Sequence, residues 1–213
     1  MRRYHFPGPC MAGLQPVGFM AVPMMPVQMP GAGRQMISAE AAKLKADMRL
    51  LWEQHIAWTR MTIISLVFDL PDTEFTVSRL LRNAEDMGNA IKPYYGEQAG
   101  EQFASLIREH LTIAADLVKA AKAGETEKAE QIERDWYRNA DEIVDFLSNA
   151  NPYIGKEDIK AMFYEHLALT KLEAVCMIVE NFELEVEVYD RIESAALQMS
   201  DMISDAIIRQ FGL

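Results

Sequence analysis

Three histidines, His55, His110 and His166, stand 55 and 56 residues apart, each inside an apolar stripe of helical period. Around His55 run Met48, Trp52, Thr59, Ile63 and Leu66. Around His110 run Phe103, Ile107, Ala114, Leu117 and Ala121, and around His166 run Ile159, Phe163, Thr170, Glu173 and Met177. Spacings of three and four residues put each set on one face of an α-helix. A turn signal follows every histidine helix, and a second amphipathic stripe follows the turn. Leu80, Ala84, Met87 and Ile91 form the first of these, Trp136, Ala140, Ile143 and Leu147 the second, and Ile192, Ala196, Met199 and Ile203 the third. Helical hairpins of this length must share neighbours to bury their stripes. The pattern therefore predicts an all-α bundle of about six helices, built as three antiparallel hairpins on a degenerate repeat of roughly 55 residues. Helices one, three and five run roughly parallel in that arrangement, which brings the three histidines to one level.

The repeat is closest between the first two units. His55 and Asp86 are 31 residues apart, as are His110 and Asp141; Arg82-Asn83-Ala84 matches Arg138-Asn139-Ala140. Pro93-Tyr94-Tyr95-Gly96 matches Pro152-Tyr153-Ile154-Gly155. The third unit keeps its histidine but reaches Asp201 after 35 residues, one helical turn longer.

Local signals place the boundaries. Ser38 is an N-cap for the first helix, with Glu40 in its first turn. Pro71 ends that helix near residue 69, and the second helix is expected over 74–91, stopping at Lys92-Pro93. The third and fourth are expected over 97–123 and 126–149, with Gly124 and Pro152 as stops. The fifth starts near 156 and the sixth ends near 210. Residues 183–190, ELEVEVYD, alternate with period two and place a kink or turn between them, near 181–188.

Two regions differ in kind. Residues 1–37 hold six prolines and no acidic residue, and read as a disordered Met/Pro-rich tail; 38–213 form the bundle domain. Pro7, Pro9, Pro16 and Pro23 interrupt what would be the apolar core of a signal peptide. A soft-metal lure of Met11, Met20, Met24, Met25, Met29 and His5, and a segment that docks onto a partner, are the alternatives to a plain tail. A formal net charge of −11 argues against nucleic acid as a partner, because that affinity rests on Lys and Arg neutralising phosphates. No apolar run approaches the roughly 18 residues that span a bilayer, so no membrane partner is expected. Cys10 and Cys176 make no disulfide framework, which points to a reducing, cytoplasmic setting.

Chemistry concentrates in the core stripes. Three imidazoles at one level can hold Zn²⁺, Fe²⁺ or Mn²⁺ with an open position. Glu173 lies seven residues after His166 on the same face, and a core carboxylate requires a partner, so it is the candidate fourth ligand, or the acceptor that a ligating imidazole's N–H bonds. The alternatives are histidines that hydrogen-bond within a helical core and a metal-free acid–base site. Asp86, Asp141 and Asp201 fall beside their stripes and read as surface charge, whereas Asn83 and Asn139 point inward. No Glu-x-x-His pairing, His-Glu-x-x-His, phosphate loop, dinucleotide fingerprint or Gly-x-Ser-x-Gly occurs. No nucleotide is expected, and no motif assigns a reaction.

WEQHIAWTRMTIIS, RLLRN, KPYYG, LVKAAKAG, WYRNADEI, YEHLALTKLEA and IIRQFGL resemble an uncharacterised all-helical family of endospore-forming bacteria, over about residues 44–213. The resemblance implies a bacterial protein and transfers no activity. Some members carry the label acetylglutamate kinase, an α/β enzyme with glycine-rich phosphate loops that this chain lacks. Two functions follow as expectations. One is divalent-metal binding at His55, His110, His166 and Glu173. The other is a non-catalytic structural or protein-interaction bundle, with a protein partner, a homo-oligomer or a small molecule as its counterpart.

Overall fold

The computed structural model describes residues 37–213, and the tail with its methionines lies outside them apart from exposed Ile37. Six α-helices and no strand occur among the described residues: α1 (Ala39–Val67), α2 (Thr73–Tyr95), α3 (Glu97–Lys122), α4 (Thr126–Ala150), α5 (Lys156–Ile178) and α6 (Phe182–Phe211). The Ser38 side chain accepts from Ala41 N at 3.0 Å, so the first helix starts at the cap its sequence provides. Connections of one to five residues reverse the chain between each pair of helices, and such short links make neighbours antiparallel.

Each helix packs on its neighbours in sequence, and α6 packs back on α1 to close the ring. Inside this ring α1, α3 and α5 each contact the other two. The histidine-bearing helices thus occupy the middle of the bundle. Trp52, Met48, Phe103, Ile143, Ile159 and Met199 are among the large side chains buried there.

Two boundaries differ from expectation. Helix α2 continues through Pro93 to Tyr95. A proline in the last turn forfeits a single intrahelical bond, and the positive φ of Gly96 (85°) then lets α3 begin at once. The second is the break between α5 and α6, which falls at residues 179–181, just ahead of ELEVEVYD. Glu180 adopts φ 59°, and the Asn181 side chain caps α6 by accepting from Leu184 N at 3.3 Å. ELEVEVYD is helical throughout. Its alternating apolar residues share no face in the fold: Leu184 and Val186 are exposed, whereas Glu185 and Val188 are buried three residues apart, the spacing of a helix.

Helices α2 and α3 approach most closely at Gly88 and Gly100. A Cβ on Gly88 would stand 2.5 Å from Gly100 O and 2.7 Å from the Ala104 Cβ, so hydrogen is the only side chain that fits. No described helix is long and apolar enough to cross a membrane.

Candidate functional site

His55, His110 and His166 project from α1, α3 and α5 into the centre, with 4 %, 2 % and 3 % of their surface exposed. The ring centroids of His55 and His166 are 5.8 Å apart, and His110 lies close enough to both for a charge on one to disfavour a charge on the others. Desolvation dominates their titration. It lowers His55 to about 4, and lowers His110 to about 3 with help from His55. His166 is pushed well below the usual histidine range by desolvation and then by the other two rings. All three are neutral at pH 7.

Two rings are held by the same device. His55 Nδ1 meets Asn83 Oδ1 at 3.1 Å, and Asn83 Nδ2 donates to Leu51 O at 3.0 Å. His110 Nδ1 meets Asn139 Oδ1 at 2.9 Å, and Asn139 Nδ2 donates to Leu106 O at 3.2 Å. In both cases the carbonyl belongs to the residue four before the histidine, one turn back on its own helix. An amide nitrogen can only donate to that carbonyl, so the amide oxygen faces the ring and accepts from it. The proton therefore sits on Nδ1, and Nε2 keeps its lone pair. An indole flanks each of these rings, Trp52 at 5.7 Å from His55 and Trp136 at 5.3 Å from His110. In the third unit no asparagine reaches His166, whose buried Nδ1 has no hydrogen-bond partner.

Glu173 is placed elsewhere. Its side chain is buried but accepts from Arg60 Nη1 at 3.2 Å, two helical turns beyond His166. Arg60 also donates to both oxygens of buried Glu185, with Nη2–Oε2 at 2.8 Å, and stacks over Tyr189 at 4.5 Å. One guanidinium shared between two buried carboxylates does not overcome desolvation at Glu173, whose pKa rises to about 7. Among the described residues no group of three or more His, Cys, Asp or Glu side chains stands at metal-holding distances. The structure thus gathers the three histidines in the bundle centre and assigns Glu173 to a separate Arg60 cluster. Both Arg60 and Glu185 escape the sequence reading: Arg60 is one position past the stripe residue Thr59, and Glu185 sits in a segment resembling a strand. An acidic residue at the buried phase of a helix was the available signal.

Comparison with protein-family models, with curated proteins and with solved structures gives no match. Site chemistry alone bears on function.

The acidic residues set beside the stripes are partly exposed and paired. Asp86 lies 3.4 Å from Arg82, Asp141 2.8 Å from Lys160, and Asp201 accepts from Arg49 Nε at 2.8 Å. Such pairs on a wetted surface contribute little individually. Cys176 is buried and free, and Trp58 receives the Arg79 guanidinium at 5.0 Å.

Proposed function

We propose that the bundle centre takes a divalent cation on the Nε2 atoms of His55, His110 and His166. The observation that carries this reading is the paired asparagine clamp: Asn83 and Asn139 fix two imidazoles as Nδ1–H tautomers with free Nε2 lone pairs. Outer-shell acceptors of this kind orient histidine ligands in metal sites. The depressed pKa values support it further, since neutral imidazoles release no proton on binding at pH 7. Two imidazoles on one tetrahedral Zn²⁺ have ring centroids roughly 5 Å apart, given a bond of about 2.0 Å. The 5.8 Å between His55 and His166 leaves a short closing movement. Zinc and Fe(II) suit an imidazole donor set, whereas Mn(II) favours oxygen ligands and suits it less. With Glu173 drawn to Arg60, the remaining position belongs to water or an exogenous anion.

Elemental analysis of the purified full chain after equilibration with each metal tests this reading. About one equivalent retained through gel filtration is expected, lost in His110→Ala. A wild-type chain that retains none overturns it.

A specific observation favours a second reading, a structural or protein-interaction bundle whose histidines cross-link the core. The α1–α2 and α5–α6 turns meet at one end through Phe68 and Phe182, with ring centroids at 6.1 Å. There Phe68, Phe182 and Val179 are 41 %, 49 % and 64 % exposed. Metal-free wild type together with a His110→Ala variant altered only in melting supports this second reading.

A further inference from the structure

One helical turn beyond the histidines, an apolar cavity of about 290 Å³ opens between α1, α3, α4 and α5. Thr59, Ala114 and Thr170, each four residues after a histidine, line it, so the imidazole layer lies beneath its floor. Ile63, Leu111, Val118 and Ala174 form part of its walls. At the mouth Lys171 of α5 reaches both carboxylate oxygens of Glu133 of α4, at 2.7 and 2.6 Å.

Three of the lining residues carry polar atoms that nothing satisfies. Thr62 Oγ1, Trp136 Nε1 and Thr170 Oγ1 are buried without a hydrogen-bond partner, and their residues are 2 %, 2 % and 5 % exposed. A buried polar atom left unpaired costs about 1–3 kcal/mol. Such orphans are few in folded proteins. Here the residues that carry three of them, on α1, α4 and α5, line one apolar space.

We propose that this cavity binds a small neutral molecule with an apolar body and one carbonyl-type acceptor. The chemistry of the orphans selects that class. Indole Nε1–H can only donate, and threonine hydroxyls donate as readily as they accept, so the missing partner is an acceptor. Charge selects against an anion: the only cationic side chain lining the cavity, Lys171, is engaged by Glu133, and a carboxylate taken into an apolar cavity has no compensating partner. Size follows from volume. A dry cavity of about 150 Å³ takes benzene, so about 290 Å³ suits a molecule of roughly ten to twelve non-hydrogen atoms. Ketones, esters and amides of that size fit. This site is separate from the Nε2 atoms and does not depend on a bound metal.

The test uses the full chain and three probes of similar size: butyrophenone, n-butylbenzene and 4-phenylbutanoate. Binding is followed by calorimetry and by the Trp136 indole N–H resonance. Butyrophenone is expected to bind and to move that resonance, about five- to tenfold more tightly than n-butylbenzene, the worth of one net hydrogen bond. The double variant Thr62→Val/Thr170→Val is expected to narrow that preference to the part Trp136 supplies, while n-butylbenzene binds as before. Three results overturn the proposal: no binding of butyrophenone to the wild type, equal affinity for ketone and hydrocarbon, or tighter binding of 4-phenylbutanoate. The wild-type comparison decides the matter even where the double variant fails to fold.

Discussion

Asn139 Oδ1 accepts a hydrogen bond from His110 Nδ1–H at 2.9 Å and its Nδ2 donates one to Leu106 O, tying α4 to α3 inside the core. The Asn83–His55 pair ties α2 to α1 in the same way. Replacing Asn139 by leucine leaves a buried N–H without an acceptor. The expected loss is about 1–3 kcal/mol in urea unfolding. The His110 nitrogen resonances should also change from a single Nδ1–H tautomer to a mixture. A variant as stable as wild type, with its tautomer unchanged, refutes the clamp.

The buried imidazoles make the fold acid-sensitive. His55 and His110 have native pKa values near 4 and 3 against an unfolded value of 6.5. Below pH 6.5 the unfolded chain therefore binds protons that the native chain refuses. The share these histidines contribute is full above pH 6.5 and falls as pH drops towards 4, by about 1.4 kcal/mol per pH unit for each of them. Chemical denaturation at pH 7, 6, 5 and 4 measures the slope. His55→Gln should lower it by about one histidine's share. A flat profile across this range contradicts the burial described.

Glu173 runs the other way. Its native pKa, near 7, lies above the unfolded value of 4.5, because desolvation outweighs the pull of Arg60. The stability it contributes is complete below pH 4.5 and is lost as pH climbs to about 7. Glu173→Gln removes that titration. The variant should therefore gain on wild type between pH 4.5 and 8, as read from melting temperature across the range. A variant losing ground with rising pH would instead show an ionised carboxylate essential to the Arg60 cluster.

Gly88→Ala is expected to destabilise the chain by about 1–3 kcal/mol, the usual penalty for overpacking. The added Cβ meets Gly100 O, a backbone atom that moves only with α3. Equilibrium unfolding measures the effect, and Gly124→Asn provides a comparison at a turn where nothing lies within 4 Å. Equal, small effects at both sites would mean that α2 and α3 are looser than described.

Helix number, helix type and most boundaries were legible in the chain because apolar periodicity and caps are local properties. Ser38 capped where its type and spacing required, and Gly124 and Asn151 closed α3 and α4. The interior placement of Asn83 and Asn139 was legible from their phase on the stripes, although their partners were not. Pro93 misled because one missing N–H is tolerated in a final turn. ELEVEVYD misled because Glu185 shares the buried face with Val188 while Leu184 and Val186 are exposed.

Residue order alone brought His55, His110 and His166 onto three inward-facing stripes, since side-chain direction on a helix follows from spacing. Their protonation, their partners and the fate of Glu173 depended on packing between helices far apart in the chain. Glu173 meets Arg60 at 113 residues' separation and His55 meets Asn83 at 28. Hydrogen bonds at that range act over about 3 Å, and periodicity specifies a face without specifying what stands opposite it. The cavity above the imidazoles is of the same kind, because an empty space is a property of several helices together and leaves no mark on any one of them.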